Sequence, residues 1–276
     1  MTAREWAQRY LDHGWKIVPL APRTKRATAP GWQEIDFTAA DVRPDDNLGL
    51  RSIEGLAFVD LDCPEGVQMA DVFLPATPTI YGRHSKPRSK RIYRSAFEKT
   101  AAYKDKDTGT VLVEIRSQHQ DMAPPSIHPD GEPLTWDTPD LGTPATVPAE
   151  DLTRAVKLLC TAAAIGRHYN AEGSRHDWCL ALAGLLRKRG ITEVDCTAVI
   201  TAAARWAQDD KLTDRLTEVQ STYAHEDDAA LTGARTLDEL DHGSLTRTLS
   251  ALWGVPASAT AYILNQRNQP DRNVLP

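Results

Sequence analysis

The hydrophobic pattern changes period near the middle of the chain. Up to about residue 137 apolar positions alternate with polar ones or run in short blocks, as strands do; beyond about residue 150 they recur at helical spacing. Residues 4–13 predict a short helix, and "GWKIVPLAP" predicts a strand ended by prolines. "RTKRATAPGW" reads as loop, and "NLGLRSIEGLAFVDLD" as a hairpin or paired strands ending on two acids. "GVQMADVFL" predicts a short helix, and "PTIYGRHSKPRSKRIYRS" a strand, a basic loop and a strand. "TVLVEIRS" alternates and is β-branched, a clear strand, and "MAPPSIHPDGEPLTW" reads as loop followed by a short strand. Short strands with few helices give this part an α+β character.

The stretch "DTPDLGTPATVPAEDL" is rich in Pro, Thr and Asp and marks a domain seam. Helical patterns follow at 151–169, 174–189, 193–208, 211–224, 236–241 and 244–253. Ser174 is the expected N-cap and Gly190 the expected left-handed C-terminal stop of the helix between them. In that helix Leu180, Ala183, Gly184, Leu186 and Arg187 form a buried stripe whose small residues let another helix approach closely. The expected organisation is an α+β domain over 1–145, an all-helical domain over 150–254 and a weakly patterned tail over 255–276. Internal repeats are absent.

Composition changes this picture little. Hydrophobic residues make up 41% and charged residues 25%, as in ordinary soluble domains. No apolar run approaches the ~20 residues of a membrane span, and the charged N-terminus lacks a signal-peptide core, which predicts a cytoplasmic protein with no membrane partner. Cys63, Cys160, Cys179 and Cys196 are scattered without a CxxC pair, which argues against structural disulfides and a cysteine-based zinc site. Charge matters more. The net charge is −6, yet residues 83–116 carry ten Lys and Arg against four acids. A local basic stripe on an acidic protein is either a solvated face or a place to hold phosphates.

Three acids, Asp60, Asp62 and Glu114, fall at strand positions, with the basic segment "GRHSKPRSKRIYR" between them. Asp60 and Asp62 stand two apart on one strand face, so their charges repel unless a cation lies between them. They are a solvated strand end or a site for a hard divalent ion, Mg²⁺ or Mn²⁺. Carboxylates that hold metal, beside cations that neutralise a triphosphate, are the equipment of nucleotidyl transfer.

The ordered pieces "GWKIVPL", "VDLD", "LPATPTIYGRHSKPRSKRIYR", "VEIRS" and "QDMAPPSIHPDGE" resemble the bifunctional DNA primase/polymerase (prim-pol) domain of the archaeo-eukaryotic primase superfamily. The branch is that of plasmids, phages and integrated elements, and the resemblance covers about residues 10–137. "EGSRHDWCLALAGLLRKRGIT" and "AQDDKLTDRLTEV" resemble the helical accessory domain that follows such primases. The resemblance implies a catalytic core with a modified RRM-like sheet and an N-terminal α/β unit. It implies template-directed primer and DNA synthesis with Mg²⁺ or Mn²⁺, on single-stranded DNA and nucleoside triphosphates. The helical domain is implied to help bind template or nucleotide, with Arg175, His176, Asp210 and Arg215 in its motif-like pieces; caps and inter-helix salt bridges are the plainer account of those four. No GxxxxGK[ST] motif is present, so a separate helicase is the expected partner.

Carried over by position, the catalytic metal ligands are Asp60, Asp62 and Glu114. The implied nucleotide-binding set is Arg83, Ser85, Lys86, Arg88, Ser89, Lys90 and Arg116, with Gln120, Ser126 and His128 from a loop lining the site. In "RHSKPRSK" the family's S-x-H histidine is replaced by Lys90. Lysine can hold a phosphate but is not a neutral acceptor at neutral pH. The expectation is that Lys90, with Arg88 or Lys86, contacts the triphosphate. Strand alternation would send Ser89 and Lys90 to opposite faces, so this requires a bulge or a flexed lysine stem. His84 is a substitute for the missing histidine or an ordinary loop residue. The alternative reading is a degenerate prim-pol-fold protein that binds nucleic acid in replication or defence without synthesis. A nuclease using the same acids would have little use for the basic loop. A glycosidase-like pair is disfavoured because Asp60 and Asp62 share one face.

Overall fold

The computed structural model describes residues 1–52, 55–170, 173–228, 231–241 and 243–254. The expected tail at 255–276 lies outside them. The chain forms two compact units, one of residues 1–102 and 113–156, the other of residues 103–112 and 157 onward.

The first unit begins with α1 (Ala3–Asp12), whose N-terminus is closed by a capping box between Thr2 and Glu5. Strands β1 (Ile17–Leu20), β2 (Asn47–Arg51) and β8 (Gln120–Ala123) make a small antiparallel sheet in the order β1-β2-β8. The larger sheet takes β3 (Leu56–Leu61), β4 (Ile80–Arg83), β5 (Lys86–Arg94), β6 (Ala101–Lys104), β7 (Val111–Arg116) and β9 (Thr135–Trp136), in the order β6-β7-β3-β5-β4-β9. A short β10 (Ala145–Thr146) pairs with β5, and α2 (Pro64–Phe73) starts two residues after β3. The architecture is α+β. Although "NLGLRSIEGLAFVDLD" reads as a hairpin, β2 and β3 lie in different sheets, because each finds a longer-range antiparallel partner. The "basic loop" is also mostly strand: only His84 and Ser85 form the turn between β4 and β5. Likewise, the segment from Gln120, read as loop, starts as β8.

The sheet pleat explains where the chemistry sits. Leu56 and Phe58 of β3, Ile92 of β5 and Tyr81 of β4 belong to one apolar core with Leu48 and Leu50 of β2, Met122 of β8 and Tyr10 and Trp15 at and just after α1. This core packs the small sheet against one face of the larger one. Asp60 continues the row Leu56–Phe58 by two more residues, and Lys90 continues the row of Ile92. The acids are therefore the polar end of a buried face.

The second unit contains most of α3 (Ala149–Arg167), with α4 (Arg175–Lys188), α5 (Glu193–Trp206), α6 (Leu212–Ala224), α7 (Ala234–Asp241) and α8 (Ser244–Trp253). Helix α4 ends as its sequence predicts: Gly190 takes φ +76°, Ile191 N–H bonds the Leu186 carbonyl and Gly190 N–H that of Arg187. Its start differs, since Ser174 has helical backbone angles and its hydroxyl makes no cap bond. The small-residue stripe admits a close neighbour at Gly184, but a non-helical segment and not the expected helix. A Cβ on Gly184 would lie 2.0 Å from the Thr232 carbonyl oxygen, so the approaching element is the segment before α7. The tip 103–112 is tied to the helices through Asp105, fully buried, which accepts from His168 Nε2 at 2.9 Å and from the Asp107 N–H at 2.9 Å, with Arg167 at 3.5 Å.

Candidate active site

Asp60 lies on β3 between two antiparallel partners, directly opposite Glu114 of β7 on one side and Lys90 of β5 on the other. Registered pairs project to the same face, so the third acid lands beside the first. Asp62 follows the end of β3, where the chain turns into α2. There Cys63 is the N-cap, its sulfur accepting from Gly66 N–H, and Pro64 opens the first turn. One oxygen or more of each of Asp60, Asp62 and Glu114 lies within 4.8 Å of the others.

Cations thread this cluster. Lys90 Nζ donates to Asp60 Oδ2 at 2.8 Å and to both oxygens of Asp121 at 2.9 and 2.8 Å. Arg116 donates to Glu114 Oε2 at 2.7 Å and reaches Asp121 at 3.4 Å and Asp60 at 3.6 Å. Lys86 Nζ sits 2.8 Å from Asp62 Oδ1 and 4.0 Å from Asp60. Burial pushes the Asp60 carboxyl up, but the Lys90 ammonium, with Lys86 and Arg116, more than offsets it and holds the pKa below the usual carboxylate range. For Lys90 burial acts downward, and Asp121 and Asp60 raise it above the ordinary lysine value. Both groups are charged at neutral pH.

The carboxylates fit a divalent ion. All three are hard oxygen donors whose ligand atoms lie within 4.8 Å of one another, and the short hydrogen bonds from Lys86, Lys90 and Arg116 engage one oxygen of each. Asp60 and Asp62 line a cleft of about 140 Å³ with Lys25, Lys86, Ser89, Lys90, Asp121 and His128, among others, and Glu114 stands beside it through its pairing with Asp60.

A β-bulge brings Ser89 and Lys90 into the cleft together. Between the pairs Tyr81↔Lys90 and Arg83↔Lys86 the register shifts, and Arg88 takes φ +52°. Gly82 faces the bulge, where a Cβ would lie 2.5 Å from the Lys86 carbonyl oxygen and 2.6 Å from Arg88 N. The same turn carries Arg88 away: its guanidinium pairs with Asp71 and Asp137 and does not line the cleft.

The other expected residues divide. Arg83 lines the cleft, pairs with Asp130 at 2.5 Å and points Nη1 at His128 Nδ1, 3.0 Å away. The same Nδ1 lies 3.1 Å from Asp130 Oδ2, so this edge of the ring faces both the guanidinium and the carboxylate. Burial, then Arg83 and Lys25, lowers the His128 pKa, against the pull of Asp130. Ser85 gives its backbone N–H to Glu132. Gln120 donates to the Lys25 carbonyl at 3.0 Å. Ser126 is buried, its hydroxyl accepting from Leu48 N–H at 2.7 Å and donating to the Leu48 carbonyl at 3.0 Å; this is a strand-to-loop clamp.

Two charged lining residues escape the sequence reading. Asp121, 3% exposed, accepts from Tyr81 OH at 2.7 Å as well as from Lys90. The available signal was the lysine itself, since a cation in a buried row demands an anion nearby. Lys25 is the other: among the described residues it makes no ion pair, unlike Lys86, Lys90, Arg83 and Arg116 around it.

In the helical unit Arg175, His176, Asp210 and Arg215 line a separate surface cavity of about 390 Å³. Three of them are engaged there, Arg175 with Asp209, His176 with Glu218, and Arg215 with both acids.

No helix among the described residues is long and apolar enough to cross a membrane. No curated protein matches the chain. Residues 7–150, more than half of its length and the whole of the cleft just described, match the family "Bifunctional DNA primase/polymerase, N-terminal", and the chain belongs to that family.

Proposed function

We propose that this protein synthesises primers and extends DNA on a single-stranded template, by metal-dependent nucleotidyl transfer during replication of a plasmid, phage or integrated element. The observation that carries the reading is the registered pair Asp60–Glu114 with Asp62 beside it, at the mouth of a cation-rimmed cleft. Asp60, Asp62 and Glu114 hold Mg²⁺ or Mn²⁺. Two such ions, when bound, would lower the pKa of the attacking primer hydroxyl and neutralise charge on the transferred phosphate and its leaving group. Lys86, Arg83 and Lys25 receive the triphosphate, and Arg116 fixes Glu114. Ser89 and His128 line the cleft beside them. Residues 1–145 act as the catalytic domain and 150–254 as an accessory domain that helps to hold template or nucleotide, with a separate helicase opening the duplex.

One observation favours a second reading, the degenerate relative without synthesis: Lys90, standing where the family has histidine, is bonded to acids on both sides. A primer-synthesis and primer-extension assay on single-stranded DNA with Mg²⁺ or Mn²⁺ decides between them. Product that disappears in Asp60→Asn supports the polymerase. Absence of product with either metal, in a protein that still binds single-stranded DNA, replaces it with the degenerate reading.

A further inference from the structure

An ammonium group has three protons, and the Lys90 ammonium meets three carboxylate oxygens, at 2.8, 2.9 and 2.8 Å. It has no donor left for a phosphate. Its partners are also unequal. Asp60 belongs to the metal cluster, while Asp121, 4% exposed at its side chain, lies outside that cluster and comes from the other sheet. Arg116 repeats the arrangement, reaching Asp121 at 3.4 Å from its seat on Glu114. Asp121 thus pulls on two of the three cations that sit against these acids, Lys90 and Arg116, while Lys86 pairs with Asp62.

We infer that Lys90 and Asp121 form a built-in counter-charge pair that sets how tightly Asp60 can hold a divalent cation. Lys90 competes with the ion for Asp60 Oδ2, and Asp121 draws the ammonium away when the ion arrives. Lys90 is then a positioning residue for Asp60 and not a ligand of the triphosphate. The inference rests on the metal reading of Asp60, Asp62 and Glu114. It also accounts for a lysine being acceptable at the histidine position, because a buried acid is available to share it.

The test is Mn²⁺ titration of the nucleotide-free protein, followed by the electron paramagnetic resonance of free Mn²⁺, with thermal melts alongside. Lys90→Met should tighten Mn²⁺ binding by about tenfold or more, since a buried charged hydrogen bond to Asp60 is removed. Asp121→Asn should loosen it by a similar factor, because the ammonium then bears on Asp60 alone. In the double variant no ammonium competes for Asp60, so Mn²⁺ binding should stay tighter than in the parent, on the side of Lys90→Met; weakening to the level of Asp121→Asn alone overturns the inference. A purely structural pair would move both single variants the same way. Both singles within about twofold of the parent, or both weakened, overturns the inference. Should Lys90→Met fail to fold, Asp121→Asn and the double variant decide alone: equal affinity in Asp121→Asn and the parent overturns it. A parent whose Mn²⁺ affinity is unmoved by Glu114→Gln is a different failure, that of the metal reading.

Discussion

Asp60 and Glu114 stand directly opposite each other on β3 and β7, and their carboxylates share one sheet face. A solvated strand end would not need an acid from a strand more than fifty residues away. Glu114→Gln keeps the volume and the Arg116 contact but removes a charge from the donor set. We expect Mn²⁺ affinity and primer extension both to fall by more than the ~10–100-fold that loss of an outer-shell partner costs. Isothermal titration and an extension assay check this; unchanged metal affinity would remove Glu114 from the site.

Lys25 is the cleft cation without a carboxylate partner among the described residues. A free ammonium can meet a phosphate without first leaving an acid. Lys25→Ala should raise the dissociation constant for a nucleoside triphosphate by roughly tenfold to a hundredfold, the worth of one charged hydrogen bond. A monophosphate should be affected much less, and Lys25→Arg should retain most of the affinity. Fluorescence titration with a labelled nucleotide measures it. Equal triphosphate binding by Lys25→Ala and the parent would place Lys25 off the phosphate path.

Gly82 faces the bulge that turns Ser89 and Lys90 inward, and its neighbours there are backbone atoms at 2.5 and 2.6 Å from a built Cβ. Backbone cannot step aside as a flexible side chain can. Gly82→Ala should therefore destabilise the protein by about 1–3 kcal/mol, visible as a lower melting temperature. It should also reduce synthesis even at temperatures where the variant is folded. A melt and activity equal to the parent's would mean that the hairpin relaxes freely.

Local signals were readable and long-range pairings were not. The period of "TVLVEIRS" and the Gly190 stop of α4 are written in a few adjacent residues, and both elements form as read. The i, i+2 spacing of Asp60 and Asp62 likewise says that they share a face. What periodicity cannot say is which strand lies beside which. For that reason β2 and β3 look like a hairpin but separate into two sheets. Asp121 was invisible for the same reason: its meaning comes from the packing of β8 against β5, which brings it to Lys90. Arg88 reads as one more phosphate cation, and only the bulge reveals that it faces Asp71 and Asp137.

Asp105 ties the tip 103–112 to the helices of its unit, and its surroundings hold it as the anion. Burial acts to raise its pKa, while the hydrogen bonds from His168 and the Asp107 N–H, with the His168 charge, lower it to about 2. The unfolded carboxyl titrates near 3.8, so the folded value is depressed. Stability from this group is fully present above the unfolded value and is lost as pH falls through the folded one. The expected loss is about 2 kcal/mol between pH ~4 and ~2. Asp105→Asn should flatten that part of the stability–pH curve, read by urea melts at several pH values. A slope in that window that persists in the variant would assign the acid sensitivity to other carboxylates.

Ser126 tests whether lining the family's loop means touching the nucleotide. Its hydroxyl is buried and both of its hydrogen-bonding roles are taken by the Leu48 backbone, at 2.7 and 3.0 Å. Leu48 is in β2, next to β8, so the bond fixes the loop after β8 to the small sheet. Removing the hydroxyl leaves a buried N–H and a buried carbonyl without this partner, which costs about 1–3 kcal/mol. Ser126→Ala should therefore lower the melting temperature while leaving triphosphate affinity close to the parent's at a temperature where both are folded. Ser126→Thr, which keeps the hydroxyl, should recover part of the stability if the added methyl is accommodated. Loss of nucleotide affinity at full stability would reverse the assignment and return Ser126 to the binding set, since a group whose donor and acceptor are both engaged by backbone has nothing left to offer a ligand.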